Sequence, residues 1–311
     1  MISEALGLKP LMGERKQKLL SNLLVSLGAF LGFEALSTVV GLYQVRTYVL
    51  LSIYLYLFHV LWLTFLYDLH LKKKAVLINF RFNRSGWHLF SAALKERCEH
   101  VFNWHYFRHF QNFLVLPAVI YWAVVIILFL NPFKSPTKQL IVIASSLAMS
   151  VAYWHFKDFL SRQLEMHEFG VKVLSLVKLY AAFLIFAATL GVSWYFGIDW
   201  SFFVLAVFCL TFILIYQALF QHKLLSLNAF PFMLSIGFVV ALSGYFIYSY
   251  WGMNYLTGGL VIMGVYNTFW GILHHHLEKT LTKKLVFEYL AMLLLILSVI
   301  AASQDFTPRI D

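Results

Sequence analysis

Twelve histidines stand in this chain, and several sit at spacings that chemistry can use. His105 and His109 are four apart, which on a helix puts both imidazoles on one face where they can grip a single metal ion. His155 and Asp158 are three apart and offer a ring nitrogen and a carboxylate oxygen from one helical face. In the run Leu273, His274, His275, His276, Leu277, Glu278, the first histidine shares a face with Glu278, and His275 nearly does. Each pair taken alone is more often an interfacial or lipid-headgroup contact at a membrane boundary. Together they form the inventory from which helix bundles build di-iron centres, imidazoles and carboxylates converging from facing helices. A mixed nitrogen and oxygen set suits iron, manganese or zinc. Cys98 and Cys209 are remote from each other and from these groups, so thiolate ligation is not expected. The expected ligands are therefore His105, His109, His155, His274 and His275, with Asp158 and Glu278 as carboxylate ligands or as orienters of the imidazoles.

The elements that must position these groups are set by composition. Of 311 residues, 61% are hydrophobic and only 12% charged, about half the charged share of a soluble domain, so a water-soluble fold is excluded. A helix crosses the hydrocarbon with about 20 mostly apolar residues. Nine stretches qualify: roughly 20–43, 48–68, 110–131, 139–160, 173–196, 201–221, 230–249, 256–274 and 285–303. The first is too long for a signal-peptide core and is read as retained. The expected fold is all-α, a polytopic transmembrane helical bundle forming a single domain over 1–311.

Lys and Arg fix an orientation for it. Sorting the loops alternately, and counting Lys157 and Lys178 with the loop between spans four and five, all but Arg46, Lys134, Lys138 and Arg309 fall on the side of the N-terminus. By the positive-inside rule the N-terminus is cytoplasmic and the C-terminus outside, in an inner or plasma membrane. The formal charge of +10 is then mostly this asymmetry and needs no nucleic-acid partner. On this topology every histidine but His59 lies at or beside the cytoplasmic face, so the three motifs share a membrane depth. The one long loop carries an amphipathic pattern within about 75–108, with Trp87, Phe90, Leu94, Cys98 and Val101 on one stripe. It reads as a helix lying on the cytoplasmic leaflet among membrane lipids, or as a lid over the site.

Other residues are weighed singly. Glu34 and His59 lie at similar depth in the first helical hairpin and are expected to pair, with a proton-relay or ligand role for His59 as the sharper reading. Asp68 is a helix-end charge, a further carboxylate for the cluster or a hydrogen-bond partner that orients a ligating imidazole. His88, His167 and His222 have no histidine at helical spacing and are read as surface residues. Gln111 and Asn112 suit interhelical hydrogen bonds. Gly258, Gly259 and Gly264 suit close helix contact, and most tryptophans suit interfacial belts.

The segment from His105 to His109 resembles the first histidine box of membrane fatty acid desaturases and hydroxylases, and His274 to His276 loosely resembles a later one. The chain is also similar in size, hydrophobicity and scattered boundary histidines to the bacterial Brp/Blh type of beta-carotene dioxygenase. The resemblance implies non-haem iron, mononuclear or dinuclear, activating dioxygen against a lipid, fatty acyl or isoprenoid substrate. An electron-donor protein would be a partner where electrons are needed, since no G-x-G-x-x-G stretch is present. Two other readings stay open: a zinc hydrolase cleaving a lipid amide or ester with metal-bound water, and a transporter or a haem- or quinone-binding membrane protein.

Overall fold

The computed structural model describes residues 14–39, 45–71, 104–130, 135–161, 168–251 and 254–302. The amphipathic segment expected at about 75–108 falls almost wholly outside them, as do His88, His100 and His167. Among the described residues nine α-helices and one short 3-10 turn follow in order. They are α1 Glu14–Val39, α2 Val45–Leu71, α3 Trp104–Leu130, α4 Ser135–Ser161, α5 Glu168–Tyr195, α6 Trp200–Gln221, the turn Leu227–Ala229, α7 Phe230–Tyr250, α8 Tyr255–Leu277 and α9 Lys283–Ala302.

A chain this apolar must satisfy its backbone groups within each segment, and the helix does so without help from water. Four helical segments are long and apolar enough to cross a membrane: Gly170–Tyr195, Trp200–Gln221, Leu227–Tyr250 and Tyr255–Leu277. Shorter apolar stretches run over Val45–Val60, Val115–Leu130 and Lys138–Ala152. Each of the nine expected stretches coincides with a helix. The outer surface is apolar, with Phe238, Leu242 and Phe246 of α7 and Phe287, Leu294 and Leu295 of α9 all exposed, a surface that lipid solvates and water does not.

The bundle is organised around α5, which packs against α3 and α8 and also touches α4 and α6. Small residues make this possible. Ala181, Ala182, Ala187 and Ala188 are fully buried, and α8 meets this smooth face with Gly258 and Gly259. A Cβ added at Gly259 would lie 2.5 Å from the Cα of Ala187, and one at Gly258 2.5 Å from a Leu190 methyl. Side-chain volume is sacrificed so that two backbones approach closely, the usual device where lipid offers helices no hydrophobic reason to associate. Gly264, expected to serve the same end, is buried against α9, but a Cβ there would meet Leu293 at 3.6 Å and Ile296 at 3.9 Å, ordinary contact distances that do not require glycine.

The first hairpin joins through tyrosines. The Tyr48 hydroxyl of α2 donates to the Val125 carbonyl of α3 at 2.7 Å, and Tyr121 of α3 donates back to the Ser52 carbonyl at 2.8 Å. The expected Glu34–His59 pair does not form. The His59 ring stacks on Tyr121 with centroids 6.1 Å apart, while Glu34 Oε1 and His59 Nε2 are each buried without a hydrogen-bond partner among the described residues. The aromatic face of α3 holds the imidazole instead.

Candidate metal centre

The ends of α6 and α8 are built alike. His222 is the C-cap of α6 and Glu278 the C-cap of α8. Each is followed by a lysine in the left-handed region, Lys223 at φ 59° and Lys279 at φ 60°. The next amide closes the motif: Leu224 donates to the Leu219 carbonyl at 2.9 Å and Thr280 to the His275 carbonyl at 2.9 Å. These are Schellman-type endings, usually made with glycine. Both helices therefore stop at one level, their negative poles aimed into the same region.

His222, His274 and Glu278 come together there. Each offers one ligand atom, and all three atoms lie within 4.8 Å of one another. The His222 and His274 ring centroids are 4.3 Å apart, and His274 Nε2 lies 3.5 Å from Glu278 Oε1. Two ligands bound at about 2.1 Å to a tetrahedral ion stand about 3.4 Å apart, so that last spacing already matches shared coordination. Nδ1 of His274 is buried with no hydrogen-bond partner among the described residues. The His274 side chain is 20% exposed and that of Glu278 40%, so the group is reached from one side and sheltered on the other.

Burial pulls the His222 imidazole down to about 3, with smaller contributions from the nearby Lys178 ammonium and from His274. It stands neutral at physiological pH, and a neutral imidazole has the lone pair that a metal needs. Trp270, one turn before His274 on α8, floors the site. Its ring is 5.6 Å from His274, 5.8 Å from His222 and 6.0 Å from Lys178 Nζ. The donor set, two imidazoles and a carboxylate at the convergence of two negative helix poles, fits a divalent cation.

Of the expected ligands, the structure brings His274 and Glu278 into this group. His275 stands beside it, its Nδ1 hydrogen-bonded to Thr280 Oγ1 at 2.8 Å and its ring 5.5 Å from that of His274. His276 packs against Phe232. His105 and His109 belong to the first turns of α3, and His155 and Asp158 to the last turns of α4. Their side chains lie outside the described residues, as do those of Asp68, Gln111 and Asn112.

Two residues of the site escaped the sequence reading. His222 was read as a surface residue because no histidine stands at helical spacing from it. Its partners lie on α8, more than fifty positions away, and the one usable signal was that spans six and eight end on the same side. Lys178 was counted with the boundary charges, although it lies inside the stretch 173–196. A lysine within an apolar run is itself a signal.

No curated protein and no solved structure matches the chain. Residues 90–303 match the model of a family described as protein of unknown function, DUF5656, a match that takes in α3 to α9 with the whole site and leaves α1 and α2 outside. With well over half of its length inside that match, the chain belongs to the DUF5656 family.

Proposed function

We propose that this protein is an integral, multi-pass membrane enzyme that holds a divalent metal ion through His222, His274 and Glu278 and uses it to oxidise a lipid-like substrate. The observation that carries the reading is the convergence of those three ligand atoms within 4.8 Å from two helices. Two histidines and one carboxylate are the ligand set of non-haem iron oxygenases, and His222, His274 and Glu278 would hold the ion while leaving room for dioxygen and substrate. In this reading the nine helices cross an inner or plasma membrane nine times, with the N-terminus cytoplasmic, and the distribution of Lys and Arg supports that orientation. The same alternation would bring His105, His109, His155 and Asp158 to the level of the site, enough donors for a second ion.

The protein's own residues have distinct tasks. His222 and His274 supply neutral donors, and Glu278 supplies the negative charge that keeps a dication bound. The partial exposure of Glu278 gives the ion an aqueous route in. Trp270 and the buried apolar residues of α5 and α8 keep water from the reacting region, which limits side reactions. The bound metal would supply activation of dioxygen.

The same two-histidine, one-glutamate set also serves catalytic zinc. A zinc hydrolase needs in addition a base beside the metal-bound water. In this reading Asp158 is the residue that could serve as such a base. Elemental analysis of protein purified with its lipid decides between them. Iron near one or two equivalents, with oxygen uptake on adding a lipid substrate, supports the proposal. Stoichiometric zinc supports the hydrolase. Metal content well below one equivalent, unchanged in His222→Ala, His274→Ala and Glu278→Gln, overturns both.

A further inference from the structure

Lys178 is the least expected residue in the core. It lies in α5 eight positions beyond Gly170, about 12 Å along the helix axis at 1.5 Å per residue. Only 4% of its surface is exposed, and its Nζ has no hydrogen-bond partner among the described residues. Lysines near a helix end ordinarily snorkel to the interface. This one points inward over the Trp270 ring, 6.0 Å from its centroid. An ammonium buried without a counter-ion is costly, and a methionine would fill the same space without that cost. Glu278, the carboxylate of the adjoining group, faces His274 at 3.5 Å and is partly solvated.

The charge balance around Trp270 says what is missing. A dication on His222, His274 and Glu278 adds two positive charges beside the lysine. Glu278 removes one, and the C-terminal poles of α6 and α8 together remove about one more. With Lys178 protonated, about one positive charge is left uncompensated in a low-dielectric setting, so a monoanion beside it is strongly favoured and holds the lysine in its ammonium form. A free inorganic anion reaches such a depth only at the cost of its hydration. One carried by an apolar tail arrives through the membrane.

We propose that Lys178 anchors the oxyanion end group, carboxylate or phosphate, of a single-chain amphiphile beside the His222/His274/Glu278 centre, over the same Trp270 ring that the two imidazoles lie against. This rests on the proposed metal-dependent activity and names its substrate class: an anionic lipid held by its head, so that oxidation falls near the charged end of the chain. The ammonium offers three rotatable donors to such a group. Its role is binding and orientation, with no bond made to the lysine.

The test uses the full-length chain in nanodiscs of neutral lipid, with palmitate, lysophosphatidate and inorganic phosphate as probes, each with and without Co²⁺. Palmitate or lysophosphatidate should bind saturably. Lys178→Met should weaken that binding about thirtyfold, the effect of truncating one partner of a buried charge pair. Lys178→Arg, which keeps the charge, should stay within about threefold of wild type, so a folding defect in the methionine variant would not hide the answer. Whether palmitate or lysophosphatidate binds more tightly tells carboxylate from phosphate. Equal binding of both lipids to wild type and Lys178→Met overturns the proposal, and so does a site occupied by inorganic phosphate but by neither lipid. Failure of the underlying reading looks different: Co²⁺ would not bind, while lipid binding would still depend on Lys178.

Discussion

Replacing Gly259 with alanine tests the packing that places α8 against α5. The added Cβ would lie 2.5 Å from Ala187 Cα and 2.6 Å from its N and Cβ. These are mostly backbone atoms, so no rotamer change relieves the clash. Reaching ordinary contact at 3.4 Å requires the helices to part by about 1 Å, and a gap of that size forfeits a quarter to a half of each dispersion contact along the seam. α5 cannot retreat freely, because Ala181, Leu184 and Phe186 are fully buried in the same helix. Overpacking of this kind costs about 1–3 kcal/mol. Alanine returns at most about 1 kcal/mol of helix propensity. A net loss of about 1–2 kcal/mol is expected, read as a lower melting temperature by tryptophan fluorescence in detergent. Gly264→Ala is the control, since its Cβ meets Leu293 at 3.6 Å and should be neutral or mildly stabilising. Should Gly259→Ala melt at or above Gly264→Ala, the close α5–α8 approach is wrong.

Three further outcomes follow from the same geometry. Lys178→Met should raise the melting temperature of the metal-free protein, by about 1–3 kcal/mol in stability, since it removes a buried amine with no hydrogen-bond partner among the described residues; a fall would mean that the lysine is structural. Because the His222 imidazole is held near 3, well below the 6.5 of an unfolded histidine, the unfolded chain binds more protons between those values, and metal-free stability must drop as pH falls from 6.5 towards 3. Melting curves at pH 7.5 and 5 should therefore converge in His222→Gln, and an unchanged difference would remove His222 from the account. Asn254→Ala should cost about 1 kcal/mol by uncapping α8, because the Asn254 side chain accepts from the Thr257 amide at 3.3 Å; Asn254→Ser should restore most of the loss.

The helices were legible because an apolar run of about 20 residues has one stable form in lipid, and each of the nine expected stretches lies on a helix. Gly258 and Gly259 were legible for a related reason: small residues in an apolar helix have little other use. Two of the three candidate ligands were legible as well, since His274 and Glu278 are one turn apart on α8 and local spacing reports them. His222 was not, because its relation to them depends on how α6 and α8 pack, and nothing near position 222 encodes that. Glu34 and His59 show the converse limit. Depth can be counted along a helix, but the rotation that turned His59 towards Tyr121 cannot.

The paired tyrosines between α2 and α3 say something different about how such a protein is specified. Each hydroxyl-to-carbonyl bond contributes little net energy in a membrane, about 0.6 kcal/mol. Their worth is informational. Tyr48 and Ser52 are one turn apart on α2, Tyr121 and Val125 one turn apart on α3, and the two bonds run in opposite directions. Two apolar helices can slide along each other with little penalty, yet a slip of one residue, about 1.5 Å, breaks both bonds together. They act as a vernier that assigns a single axial setting to an otherwise featureless contact. Since α2 lies outside the family match and α3 inside it, that setting joins the packing of α1 on α4 in tying the N-terminal hairpin to the rest of the bundle.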